Sequence, residues 1–338
     1  MSIAKKMKIS NPILLLIILL FAPLQAQSTE TNNLNSNIQQ GSNQSLGIIL
    51  YNQLKIDAAI PQLEKEAKAG NVDSQYYLGE ALRKRNRFMT NEAQGWYEEA
   101  ANNGSVFAMI QLGRQDNDLC KKMNNCAPSK HSSAEWLKEA KDKIIKEANE
   151  GDPESLYLMY EITFDRDWLE KSANAGYAPA QYWMAIGDRQ GEGLFLIPGS
   201  REQAVSRWLK MSSEGGNSKA MMDYIEILYK KGDLEGVRHW LQAAAETGDQ
   251  KAISSYASYI AHAPDQVGYP LDQVKGYALI SLLKELDGGG AIQDFVQDTL
   301  EEIGSKMTAE QIEQSKAVAK EWKATHPPLS FFPDKLGN

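Results

Sequence analysis

Few side chains in this chain stand at spacings that could do chemistry. Ser281 and Lys284 fit Ser-x-x-Lys, which places a hydroxyl and an amine one helical turn apart, as in β-lactam-directed hydrolases where the serine is the nucleophile. The pair falls inside an apolar helical stripe, and neither Ser-Asp-Asn nor Lys-Thr-Gly accompanies it. His131, His239, His262 and His326 are scattered, with no His-Glu-x-x-His, no Gly-x-Ser-x-Gly and no cysteine beside a histidine in a nucleophile setting. Gly288-Gly289-Gly290 lacks the Lys-Ser/Thr and the strand-to-helix context of a phosphate loop and reads as a helix break. Cys120 and Cys126, the only cysteines, bracket a short polar stretch. In an exported chain an even cysteine count reads as a disulfide. A metal with His131 as third ligand is the alternative, although no fourth ligand stands at a familiar spacing. No catalytic group, metal or cofactor is expected, and the chain reads as a binding protein and not an enzyme.

The elements that would position these residues are helices arranged as a repeat. In the stretch from Trp96 to Gly113, Trp96, Tyr97, Ala100 and Ala101 share one helix face, Gly104 can close the helix in a left-handed conformation, and Ala108, Leu112 and Gly113 stripe the next helix. Trp168, Gly176 and Ala180 repeat the spacing, as do Trp208, Gly216 and Ala220, and Trp240, Gly248 and Ala252. Weaker copies centre on Gly70 and Gly151. Three residues before each of the six glycines stands a small side chain: Ala67, Ala101, Ala148, Ala173, Ser213 and Ala245. A polar cap follows several glycines, as in Gly70-Asn71, Gly151-Asp152, Gly216-Asn217 and Gly248-Asp249. Recurrence at this period marks stacked helical hairpins. Ser132-x-x-Glu135, Ser200-x-x-Gln203 and Thr308-x-x-Gln311 fit reciprocal capping and predict helices near 133–149, 201–214 and 309–325.

The second copy resembles the Sel1-like repeat family, a relative of the tetratricopeptide repeats, throughout its pattern Trp-Tyr/Leu-x-x-Ala-Ala-x-x-Gly-x-x-x-Ala-x-x-x-Leu-Gly. Gly-Asn-Val-Asp-Ser-Gln-Tyr-Tyr-Leu-Gly from 70 and Ala-Asn-Ala-Gly-Tyr-Ala-Pro-Ala-Gln from 173 match half-units. The resemblance covers residues 48 to 325 and implies an all-α fold, an α-solenoid of stacked antiparallel helix pairs. Glycine spacings of 34, 47, 25, 40 and 32 make copies three and four irregular. Some secreted members carry a disulfide in nearly every repeat, which this chain does not.

Residues 1–26 read as a secretory signal: Lys5, Lys6 and Lys8, the apolar run Ile13 to Ala22, then Pro23-Leu24-Gln25-Ala26 at the cleavage site. The run is too short to span a bilayer, which wants about 20 apolar residues. Residues 27–45, rich in Asn, Gln, Ser and Thr, are expected to be a disordered leader. The repeat solenoid follows over 46–263 and a C-terminal helical capping region with an extended tail over 264–338. Removal of the signal takes the formal charge from −8 to −11, because three lysines leave and no acid does. An acidic balance argues against nucleic acid and against an anionic membrane surface as partners. The expected product is periplasmic, without stable membrane insertion.

Pro327, Pro328 and Pro333 bar a helix at the end of the chain, and Leu329, Phe331 and Phe332 are expected to pack back as a terminal cap. The tail from Trp322 resembles that of exported Sel1-repeat proteins encoded beside antibacterial phospholipase effectors of type VI secretion. That resemblance implies an immunity protein, with the cognate phospholipase effector as its partner. The alternatives are an envelope scaffold and, from a third class, a cell-wall or β-lactam-directed hydrolase. In the tetratricopeptide-like arrangement, residues three, six, ten and thirteen past each glycine line the concave side. The resemblance therefore assigns partner binding to Asp73, Tyr76, Glu80, Arg83, Phe107, Ile110, Arg114, Glu154, Tyr157, Glu161, Tyr182, Arg189, Met222, Glu226 and Tyr229. Phe107, Ile110 and Met222 have a second reading as core between copies.

Overall fold

The computed structural model of the chain describes residues 45–286 and 291–336. The signal, nearly all of the leader and the glycine triplet at 288–290 lie outside them.

Helices α1 (Leu46–Asn52), α2 (Ile56–Lys68), α3 (Val72–Asn86), α4 (Asn91–Asn102) and α5 (Val106–Gly113) open the stack. After the short α6 (Leu119–Lys122) come α7 (Ser133–Asn149), α8 (Pro153–Thr163), α9 (Arg166–Asn174), α10 (Ala178–Gln190), α11 (Ser200–Glu214), α12 (Ser218–Lys230), α13 (Leu234–Glu246) and α14 (Gln250–Ile260). Helices α15 (Gln273–Leu282), α16 (Ala291–Gly304) and α17 (Ala309–Thr325) end it. Packing is mainly between sequence neighbours, with α1 also meeting α3, α5 meeting α7 across the short α6 and α15 meeting α17 across α16. Such nearest-neighbour packing spreads one core along a solenoid.

Each repeat turn is built by the same local chemistry. All six glycines sit at positive φ, from 87° to 96°. The Gly70 amide donates to the Ala67 carbonyl and the Asn71 amide to that of Glu66, a double closure repeated at Gly104, Gly151, Gly176 and Gly216. The small residue three before the glycine is therefore the carbonyl that receives the glycine amide. Asn71, Ser105, Asp152, Asn217 and Asp249 then cap the following helix with their side chains. Gln75 and Gln181, five past their glycines, return side-chain amides to the carbonyls of Ala67 and Ala173.

The irregular spacings are insertions. The long gap between copies two and three holds α6 and the Cys120–Cys126 bridge, and the gap between copies four and five holds the loop from Gly191 to Gly199. The reciprocal boxes at Ser132/Glu135 and Thr308/Gln311 form, but that at Ser200/Gln203 does not. Gly199, left-handed at φ 80°, caps α11 instead, and the Ser200 hydroxyl donates backward to the Ile197 carbonyl at 2.6 Å.

The tail meets the expected terminal cap only in part. Leu329 is buried and Phe331 packs in the last stretch of core, but from Ser330 the chain turns into the hollow of the solenoid. The Ser330 amide donates to the Gly248 carbonyl at 2.9 Å and the Gln250 amide donates to Ser330 at 3.1 Å. The Phe331 amide donates to the carbonyl of Asn52, at the end of α1, at 2.9 Å. The stack thus curls until its first helix and sixth repeat flank one strand-like segment. A rod without such curvature would leave the tail at the end where it begins.

Candidate binding groove

The hollow is a cleft of about 1250 Å³ bounded by the second helices of the repeats and by Phe332 to Leu336 of the tail. Arg83, Phe107, Arg114, Glu154, Tyr157, Glu161 and Tyr182 among the assigned residues line it. Asp73 and Tyr76 join them through the tail. Lys335 places its ammonium 3.8 Å from the centroid of the Phe107 ring and 3.7 Å from the Asp73 carboxylate, with the rings of Tyr76 and Tyr77 about 6 Å away. The Tyr76 hydroxyl donates to the Lys335 carbonyl.

Beneath this box lies a buried carboxylate. Glu80 accepts from the Tyr97 hydroxyl and from the Gln111 side-chain amide, each at 2.7 Å, with the hydroxyls of Tyr76 and Tyr51 at 3.3 and 3.4 Å. Arg83 stands 3.6 Å away as its counter-charge. Burial, and then the Glu80 charge, holds the Tyr76 and Tyr97 phenols well above their ordinary range, so both stay protonated donors. Glu80 is 4% exposed, so it supports the groove wall and does not face a partner. Ile110, fully buried, belongs to the core, as its apolar side chain favours. Tyr76 is equally hidden because the rings of Tyr77, Tyr97 and Phe107 and the tail cover it.

Midway along the groove Arg114 forms a fork. One nitrogen contacts the Glu161 carboxylate at 2.5 Å and donates to its carbonyl at 2.9 Å, while the other donates to the Leu336 carbonyl at 3.1 Å. Tyr157 bonds to Glu161, and Tyr177 to Glu154; burial first, and these acids second, raise both phenols. Tyr182 is pushed up to about 12 by burial and then by Asp223. Further along, Arg189 pairs with Asp223 at 2.9 Å and Met222 packs against the last core stretch. Glu226 and Tyr229 are exposed but do not line the cleft.

Two features escaped the sequence reading. Lys219, on the groove wall, pairs with Asp334 of the tail at 2.6 Å. The loop after α10 displays Leu194, Leu196 and Ile197 at 84%, 83% and 73% exposure, with Arg201 holding its base through the carbonyls of Asp188 and Glu192. The signal for that loop was available: four consecutive large apolar residues between glycines in Gly-Glu-Gly-Leu-Phe-Leu-Ile-Pro-Gly, off the repeat period.

Cys120 and Cys126 are bridged, with Cα atoms 4.7 Å apart. His131 packs against the ring of Trp136, and no cluster of three metal-ligating side chains occurs among the described residues. The Ser281 hydroxyl donates to the Ala278 carbonyl at 2.6 Å. Among the described residues no helix is long and apolar enough to cross a membrane.

No family model matches the sequence, and no curated protein is similar to it at a significant level. Among solved structures, a protective antigen of uropathogenic Escherichia coli displaying an SLR fold is 18% identical, with 88% of this chain and 62% of that one covered and a TM-score of 0.43. This chain therefore spans less than two thirds of that protein. A Sel1 repeat protein from Oxalobacter formigenes is 19% identical over 77% of this chain and 98% of that one, with a TM-score of 0.35. With its paired helices and six glycine-centred turns, the chain is an α-solenoid of stacked antiparallel helix pairs.

Proposed function

We propose that this solenoid is a protein-interaction module whose concave groove grips a partner protein, and that it acts as a periplasmic immunity protein against an antibacterial phospholipase effector of type VI secretion. The observation that carries the binding reading is the groove itself, a cleft of about 1250 Å³ walled by tyrosines, phenylalanines and paired arginines and acids. Aromatic and arginine side chains dominate interface hot spots because they bury large areas while keeping polar anchors. The effector reading is supported by the signal-like residues 1–26 and by the resemblance of the tail. Neutralisation would follow from occlusion, with the bound effector unable to present its active site or reach the membrane.

The test is co-expression of a candidate phospholipase effector, directed to the periplasm, with and without this protein. Rescue of growth supports the reading, and equal killing in both strains removes it. An envelope scaffold joining resident proteins is the second reading, favoured by the Sel1-like fold. It would recover resident envelope proteins in a pull-down from cells that carry no toxin.

A further inference from the structure

Residues 330–336 sit in the groove as a bound peptide would. Their main chain is held at four places: Ser330 bridges to Gly248 and Gln250, the Phe331 amide donates to the Asn52 carbonyl, Tyr76 donates to the Lys335 carbonyl, and Arg114 donates to that of Leu336. Contacts of this kind recognise an extended backbone whatever its sequence. Side-chain contacts supply the discrimination, with Asp334 on Lys219 and the Lys335 ammonium between the Phe107 ring and Asp73.

The geometry points to a receptor site for an extended segment of a partner protein carrying an acidic residue followed by a lysine, a site that residues 333–336 occupy as an internal ligand which the partner displaces. This deepens the reading of the concave face as the partner-binding surface and rests on it. The two halves of the tail differ in the way displacement requires. Ser330 and Phe331 are anchored by backbone hydrogen bonds to the sixth repeat and to α1, whereas the Asp334 and Lys335 side chains are 48% and 35% exposed. Ion pairs so open to water hold weakly. Pro333, between them, has no amide to tie it to the groove, so displacement of residues 334–336 breaks only the two side-chain hydrogen bonds to the Lys335 and Leu336 carbonyls and the exposed ion pairs. A tethered ligand lowers apparent affinity for a competitor in proportion to its occupancy, and a tail bound ten parts in eleven costs about tenfold.

The experiment uses a fluorescent peptide of residues 329–336, titrated by anisotropy against the full-length chain and a chain ending at Phe332. We expect binding at least tenfold tighter to the shortened chain, and loss of that binding when the peptide carries K335E. Equal affinity for both chains, with circular dichroism showing the shortened one folded, overturns the proposal. If the shortened chain does not fold, full-length K335E replaces it; the same tenfold gain for the unmodified peptide is expected, and no gain overturns the proposal. Dimers of the full-length chain dissociated by the peptide would make the occupant a second copy's tail and would also overturn it. Partner capture by an Asp73→Lys variant is measured alongside. Lost capture with no peptide binding would leave the groove as the partner face and remove only the internal ligand.

Discussion

Removing the Glu80 carboxylate tests whether the groove wall is held as described. Glu80→Ala takes the acceptor from the Tyr97 hydroxyl and the Gln111 amide and the counter-charge from Arg83, which also bonds Tyr97. A buried donor left without an acceptor costs roughly 1–3 kcal/mol, and breaking a buried ion pair by deleting one partner costs about 3–5 kcal/mol. These terms overlap, since the same side chain supplies them, so the expected loss is about 3–5 kcal/mol and not their sum. At ~2–4 °C per kcal/mol, the melting temperature should fall by roughly 10 °C. Glu80→Gln keeps an oxygen for Tyr97 or Gln111 and should lose about half as much. Urea titration followed by circular dichroism measures both variants, and a double-mutant cycle with Tyr97→Phe should show a coupling of about 1–3 kcal/mol. Glu80→Ala within about 1 kcal/mol of the parent would refute a buried hub, because the donors would then have found water or other partners.

Gly248→Ala should loosen the tail: its Cβ would lie 2.5 Å from the Pro328 carbonyl oxygen at a φ of +88°, whereas at Gly176 a Cβ meets nothing within 4 Å. Both variants carry a backbone penalty of about 1–2 kcal/mol, but only Gly248→Ala should speed proteolysis after Phe331. Burial depresses the His326 pKa below the ordinary 6.5 against the opposing bond to the Trp322 carbonyl, on whose ring the imidazole stacks at 3.6 Å. The unfolded chain therefore takes up the proton first, and the contribution present above about pH 6.5 is lost as pH falls through that range. Thermal melts from pH 7.5 to 5 should show this slope in the parent and less of it in His326→Gln. Glu154→Lys, inside the cleft, should weaken partner binding and its salt dependence. Glu226→Lys, outside the cleft lining, should leave both unchanged, and equal losses in a binding titration would move the site along the stack.

The repeat turns were legible because each depends on neighbours in sequence: a glycine that takes positive φ, a small residue whose carbonyl receives its amide, and a polar cap that follows. The Ser200 box failed for a local reason too, since Gly199 could turn left-handed and remove the serine from the cap position. Groove membership was less legible because it depends on how far each pair rotates on the next. The position ten past the glycine is Glu80 in the first copy, where Tyr97 and Gln111 from the second copy reach over it. It is Glu161 in the third, where it meets Arg114 on the cleft wall. The tail was illegible for the same reason at longer range. Phe331 bonds to Asn52 only because the summed curvature of six pairs brings the ends together, and no periodicity within one copy encodes that sum.

Hydrogen exchange on the chain alone and with the phospholipase effector proposed as its partner tests the groove most directly. In the free chain the Ser330 and Phe331 amides, bonded to Gly248 and Asn52, should exchange slowly. On binding, residues 334–336 should exchange freely while the groove-side helices α3, α5, α8 and α10 gain protection. A complex in which the tail keeps its free-state exchange and protection appears only on the first helices of the repeats would contradict the account.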